Sequence, residues 1–453
     1  MALVLAAALC SLAGAPAPSV PDAQLQRLLF NPPKPGPSGR SNRRWLGADC
    51  ATSLALPSRN NTAATLWLFG DTLVSAFGAG HRNLSGCAMP HQTVALQPTP
   101  ESALAFSWPE DGATGAPLNL FRPSNASMRG AVPCAAPFNE TTPYYWVVAG
   151  ISSGGAGLAG PPGRLLLLAQ RIVGTPGRGL GFAVLGSTAI VVDNAADAPA
   201  QWRHRSADLT TCADEASCEM WSAGATAVPG GGGGNDSGGG GNDSGGGGGG
   251  GDSGCIGGAA GGCVYLSGGV GSAASGAGQA LMRGPLAELL ELRFGSLELL
   301  GADGVWRRRV PGSSAPAAAG AAGLFPQQSE LSLHYHAPLG RWLAASFDGF
   351  GGQRLLLWST AAADVRGPWR AALAHTLGAP WSNTSRYYAY AAKIHPHLAR
   401  ADDEVVLTYV ANAWDMDALF APGEATAIYT PQVLRTNLTL LLNLTTTGRA
   451  PRH

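Results

Sequence analysis

"TLWLFGDTLV", residues 65–74, sets a tryptophan, a phenylalanine and several aliphatic residues around Gly70-Asp71-Thr72. In a strand, alternate side chains point to opposite faces, so Leu66 and Leu68 take one face and Trp67 and Phe69 the other. Both faces are apolar, and a strand of that kind is covered on both sides. Stacked sheets provide such cover, as in a sandwich or a propeller. Gly70-Asp71-Thr72 then marks where the strand emerges. Asp71 there suits either chemistry or a turn, where its carboxylate accepts backbone N–H bonds.

The same pattern recurs along the chain. "YYWVVAG", "RLLLLAQRIV", "STAIVVD", "CVYLSGG", "SELSLHYH", "RWLAASFD", "QRLLLWST" and "EVVLTYVANAW" are short, rich in Leu, β-branched or aromatic residues, and separated by Gly, Pro, Asn or Asp. Helical periodicity is confined to residues 284–300, where Leu286, Leu289, Leu290 and Leu292 allow a short amphipathic turn. The strands cluster at about 45–110, 142–200, 216–310, 326–375 and 386–436, and each cluster has room for a four-stranded antiparallel sheet. The expected fold is all-β: a five-bladed β-propeller over residues 40–436, each blade covered by its neighbours. A pair of β-sandwiches is the alternative.

Composition narrows the partners. Charged residues make up 13% of the 453, with Lys plus Arg and Asp plus Glu equal at 29 each, so the basic footprint of a nucleic-acid binder is missing. The 64 glycines and 33 prolines suit strands and turns rather than helices. Residues 230–254, "GGGGGNDSGGGGNDSGGGGGGGDSG", lose too much backbone entropy on ordering, and read as a disordered insertion in the third blade. Gly155, Gly157 and Gly160 match GxGxxG, but "PPGR" follows, so no helix start is available to hold a phosphate.

Residues 1–17 read as a secretory signal peptide and residues 437–453 as a C-terminal tail. Nine Asn-x-Ser/Thr sequons, starting at Asn60, Asn83, Asn125, Asn139, Asn235, Asn242, Asn383, Asn437 and Asn443, favour an exported glycoprotein. Seven cysteines follow the signal segment, which leaves one thiol without an intrachain partner. Cys212 with Cys218, and Cys255 with Cys263, could staple the ends of a loop, although spacing does not determine connectivity. No CxxC pair suggests zinc. A secreted monomer without a membrane span is expected.

The ordered series "WLGADCATSLAL", "LWLFGDT", "ALMRGPLAELL", "SELSLHY", "GPW", "YAAKIHPHL" and "IYTPQVLR" resembles the secreted β-propellers known as domain of unknown function 4185, over about residues 40–436. That family is similar to five-bladed glycosidases of the arabinanase type. The resemblance implies a polysaccharide or other glycan as partner, and hydrolysis of a cell-wall or extracellular polysaccharide, arabinan-like among others. In "YYWVVAG" the chain departs from a more polar Trp-Pro-x-Asp/Gly pattern, which puts one substrate contact or tuning group in doubt. A carbohydrate-binding propeller without turnover and a structural matrix glycoprotein therefore stay open as alternatives.

Glycosidic cleavage takes two carboxyl groups across a cleft. Asp49 of "LGADCA" lies ahead of the innermost strand of the first blade and is expected as base or nucleophile; Glu330 is expected as acid, with Asp71 a third candidate. Period-2 alternation puts Glu330, Ser332, His334 and His336 on one face, and Ala389, Ala391, Lys393 and His395 on another. His334, Lys393, His395, Tyr409 and Asn412 are the expected substrate contacts, each with a structural role as its alternative. No cofactor or metal ligand set is expected, although the central channel of such a fold has room for a structural cation.

Overall fold

The computed structural model describes residues 17–31, 34–35, 43–56, 64–75, 82–123, 130–134, 141–154, 158, 163–175, 181–212, 218–228, 255, 262–270, 278–309, 323–326, 330–361, 363–421 and 427–446. Most of the signal segment, the Gly-rich stretch 230–254, the glycines of the GxGxxG match and the end of the tail lie outside these residues.

Ala64–Phe69 is the second strand of a four-stranded antiparallel sheet, in the order Thr52–Leu56, Ala64–Phe69, Thr93–Gln97, Ala105–Ser107. Four more antiparallel sheets follow along the chain, spanning 144–208, 219–308, 332–376 and 387–437. The all-β expectation holds, and the sheet limits track the expected clusters. Each sheet begins with an inner strand: β1 (Thr52–Leu56), β2 (Tyr144–Ser152), β3 (Glu219–Val228), β4 (Ser332–His336) and β5 (Tyr387–His395). β1 packs on β2, β2 on β3, β3 on β4, β4 on β5, and β5 on β1.

Apolar side chains fill the space between successive sheets. Leu66 and Leu68 meet Val147, Leu165 and Leu167 of the second sheet, whereas Trp67 and Phe69 meet Val406 and Val433 of the fifth. All four residues of "LWLF" are at most 1% exposed, so both faces of this strand are covered. Full burial of such side chains stabilises by roughly 1.5–3 kcal/mol each. Leu166 and Leu168 pack on Trp221 and Leu266, Leu281 on Leu333 and Ala344, and Leu343 on Leu407 and Leu434.

As expected, the strand ends at Gly70-Asp71: the chain turns there, and Thr72–Ser75 joins a separate small sheet with Arg44–Ala48, Lys34–Pro35, Ala88–Met89 and Val132–Pro133. Two sequence expectations change. The packed unit exceeds 40–436. Ser19–Pro21 pairs with Gln432–Asn437 as the outer strand of the fifth sheet, and the helices Ala23–Leu29 and Leu438–Thr446 bury Leu25, Leu29, Leu438 and Leu441. The helical stretch contracts to Leu286–Leu290, because Leu292 takes a left-handed φ of 54°.

Cys212–Cys218 and Cys255–Cys263 are bonded, a third bridge joins Cys87 to Cys134, and Cys50 is a buried free thiol. Among the described residues no helix is long and apolar enough to cross a membrane.

Candidate functional site

Asp49 sits between Arg44–Ala48 and β1, where the small sheet meets the first inner strand. Its backbone N–H donates to the Asp71 carbonyl at 3.3 Å, and the Gly70 N–H donates to the Asp49 carbonyl at 3.2 Å. These bonds lace the two acidic segments together. The approach is so close that a methyl group at Gly70 would run into Asp49 Oδ1.

Glu330 reaches the same place from just ahead of β4. Lys393 Nζ of β5 lies 2.7 Å from Glu330 Oε2 and also donates to the Val148 carbonyl of β2 at 2.8 Å. The Cys50 thiol donates to the same Glu330 oxygen at 2.7 Å. Asp71 Oδ1 accepts from Trp146 Nε1 at 2.7 Å and lies 2.6 Å from His91 Nδ1, while the His91 ring stacks on Tyr144 with centroids 3.6 Å apart. The hydroxyls of Tyr390 and Tyr429 donate to Asp49 Oδ2 at 3.0 and 3.2 Å.

Backbone strain gathers here. Among the described non-glycine residues, four have φ in the left-handed region, and three of them, Cys50 (58°), Ala391 (56°) and Tyr429 (58°), flank these side chains. Such conformations persist where the surrounding structure enforces them.

Charge is crowded in little water. Asp71, Glu330 and Lys393 are 4%, 6% and 3% exposed, and Asp49 alone is partly open to solvent. Burial, and then the charges of Asp71 and Glu330, push the Asp49 carboxyl well above the usual carboxylate range, against the two tyrosine hydroxyls. Burial pulls the Lys393 ammonium down, but Glu330 beside it outweighs this and the net shift is upward. Burial and then the Glu330 charge push the Cys50 thiol up, which keeps it protonated as a donor.

Asp49, Asp71, Glu330 and Lys393 therefore converge. Of the remaining expected contacts, His395, Tyr409 and Asn412 do not join them. His395 is fully buried, with Nδ1 2.5 Å from Ser53 Oγ and Nε2 2.8 Å from Thr408 Oγ1, and its ring lies against Trp67. Tyr409 packs in the core beside Phe347 and His375, where burial pushes its hydroxyl up to about 12. Asn412 is buried, and its Oδ1 accepts from the Ala413 N–H at 2.8 Å. His334 lines a cavity of about 290 Å³ between the inner strands, together with Thr52, Ala149, Gly224, Lys393 and His397. Burial lowers His334 to about 3 and His397 to about 4, so both imidazoles are neutral there.

The alternation expected of β5 fails for a definite reason. A bulge shifts the register between Tyr390 and Lys393, and Ala391 takes its left-handed turn within it. Tyr390 rather than Ala391 thereby reaches Asp49. Sequence reasoning missed Tyr390 through this bulge, and missed Tyr429, His91, Trp146 and Cys50 because they come from segments with no pattern linking them to Asp49. Among the described residues no group of three or more His, Cys, Asp or Glu is arranged to hold a metal ion.

No family model matches the chain, and no curated protein matches it. Solved structures do. A protein of Bacteroides ovatus provisionally described as a hydrolase is 14% identical, with a TM-score of 0.62 over 95% of this chain and 93% of that one. Looser matches include an N-acetylgalactosamine deacetylase of F. plautii, 9% identical, TM-score 0.43, over 89% and 94% of the two chains. The endo-arabinase of Bacteroides thetaiotaomicron is 10% identical, TM-score 0.35, over 86% and 94%. At these identities the first likeness concerns the fold alone.

Proposed function

We propose that the five sheets are the blades of a propeller, and that the protein is an exported glycoside hydrolase whose carboxyl groups meet at one end of the axis. The closed order of contacts among β1 to β5 supports the propeller, since each inner strand touches the next and the fifth returns to the first. Three disulfides suit an oxidising compartment. The resemblance of the ordered segments to the domain of unknown function 4185 is what suggests a glycan as substrate.

The observation that carries the hydrolase reading is the meeting of Asp49, Glu330 and Asp71, where burial and the two neighbouring charges raise the Asp49 carboxyl well above the usual range. This reverses the roles expected from sequence. A carboxyl with a raised pKa suits the general acid, so Asp49 donates its proton to the departing glycosidic oxygen. Glu330, paired with the Lys393 ammonium, acts on the other side as base toward water or as nucleophile toward the sugar. Asp71, positioned by His91 and Trp146, keeps the proton on Asp49. Tyr390 and Tyr429 hold one oxygen of the acid, Oδ2, and Gly70 leaves room for the other beside it.

The test is the release of reducing ends from a panel of arabinan, xylan, arabinogalactan and glucomannan. Asp49→Asn and Glu330→Gln should each lower release by at least about a hundredfold. Glycan binding with no release from the wild-type protein would replace the hydrolase by a binding propeller.

A further inference from the structure

We propose that Trp414, Tyr388 and Phe350 form an outer subsite on which a sugar ring of the glycan stacks, one or more units away from the bond held at Asp49. The proposal rests on the glycan reading above and deepens it.

Trp414 follows the strand Glu404–Ala413 and is 49% exposed; among the described tryptophans it is the exposed one. Its indole is nevertheless fixed. The backbone N–H donates to the Arg386 carbonyl and Nε1 donates to the Thr384 carbonyl, both at 3.0 Å. One face rests on Tyr388, with centroids 4.2 Å apart and planes at 29°. Phe350, 38% exposed, stands 5.6 Å from Tyr388 and 6.2 Å from Tyr390. Tyr388 in turn stacks on Tyr390 at 5.5 Å and 22°, and the Tyr390 hydroxyl reaches Asp49. The rings form an unbroken row from the surface to the carboxyl site.

The exposed part of this large aromatic side chain gains by being covered, and here it is also held rigid, so a ligand meets it without an ordering cost. The chemistry of the row selects the occupant. Flat apolar rings complement the C–H face of a sugar, and carry no charge that would require an ionic ligand. Two exposed rings fall far short of the roughly 800 Å² per partner of a stable protein interface. The row also ends at the carboxyl that would cut the chain, so a glycan seated on Trp414 extends toward Asp49.

The test uses Asp49→Asn protein, which binds without turnover, in native gels cast with soluble arabinan, xylan, arabinogalactan or glucomannan. At least one glycan should retard it. Adding Trp414→Ala should weaken that retardation about tenfold, whereas Trp414→Phe should keep most of it. Undiminished retardation of the Trp414→Ala protein would overturn the subsite while leaving the glycan reading intact. Absence of retardation in all four gels would overturn the subsite as well; release of reducing ends by the wild-type protein would then show that the hydrolase reading stands without it.

Discussion

A single proton on Asp49 links the site's chemistry to the stability of the fold. An exposed aspartate ionises near pH 3.9, whereas burial and the Asp71 and Glu330 charges hold the folded Asp49 carboxyl well above that. Between these two values the folded chain binds more protons than the unfolded one, so this residue's contribution falls as pH rises through the window. Thermal unfolding across pH should therefore show Asp49→Asn gaining stability over the wild-type protein toward neutral pH. Activity should fall on the alkaline side as the acid loses its proton, and a pH–rate profile reads that limb directly. Gly70 offers a second test at this scale. Gly70→Ala places a methyl against Asp49 Oδ1, and should cut activity at least about tenfold while circular dichroism keeps its β signature.

Strands explain which of these residues could be seen in the sequence. Asp49 is legible from its position ahead of an inner strand, and Glu330 from the alternation of the strand it leads into. Tyr390 is not, because a bulge puts it where regular alternation would have put Ala391. Lys393 survives the bulge, and bridges β5 to β4 and β2 through Glu330 and the Val148 carbonyl. Lys393→Met would leave Glu330 buried without its partner and should lower stability by about 3–5 kcal/mol in urea unfolding. The same scale bears on the sequons. Asn437 ends its strand with Nδ2 donating to Asp403 and Oδ1 accepting from the Leu440 N–H, so its amide is already engaged. Peptide mapping of the protein expressed through a secretory pathway should find Asn437 unmodified.

Across the molecule, the apolar strands announced covered sheets, and "LWLF" does divide its two faces between neighbouring interfaces. The chain's outer reaches were harder to read, because Ser19–Pro21 carries only three residues and no periodicity. Yet this strand pairs with Gln432–Asn437, and the helix behind it covers Trp67 and Phe69. A chain beginning at Asn31 should lose that cover and unfold at a clearly lower temperature, which calorimetry would register.

That pairing also sets a schedule for synthesis. Ser19 and its partner Thr436 are 417 residues apart, so at about 5–20 residues per second the first strand waits on the order of 20–80 s for its mate to be made. Throughout that interval the apolar side of the helix Ala23–Leu29 has no fifth sheet to lie on. Until the last strand is made, the beginning of the chain keeps its apolar residues Leu25 and Leu29 without their final cover.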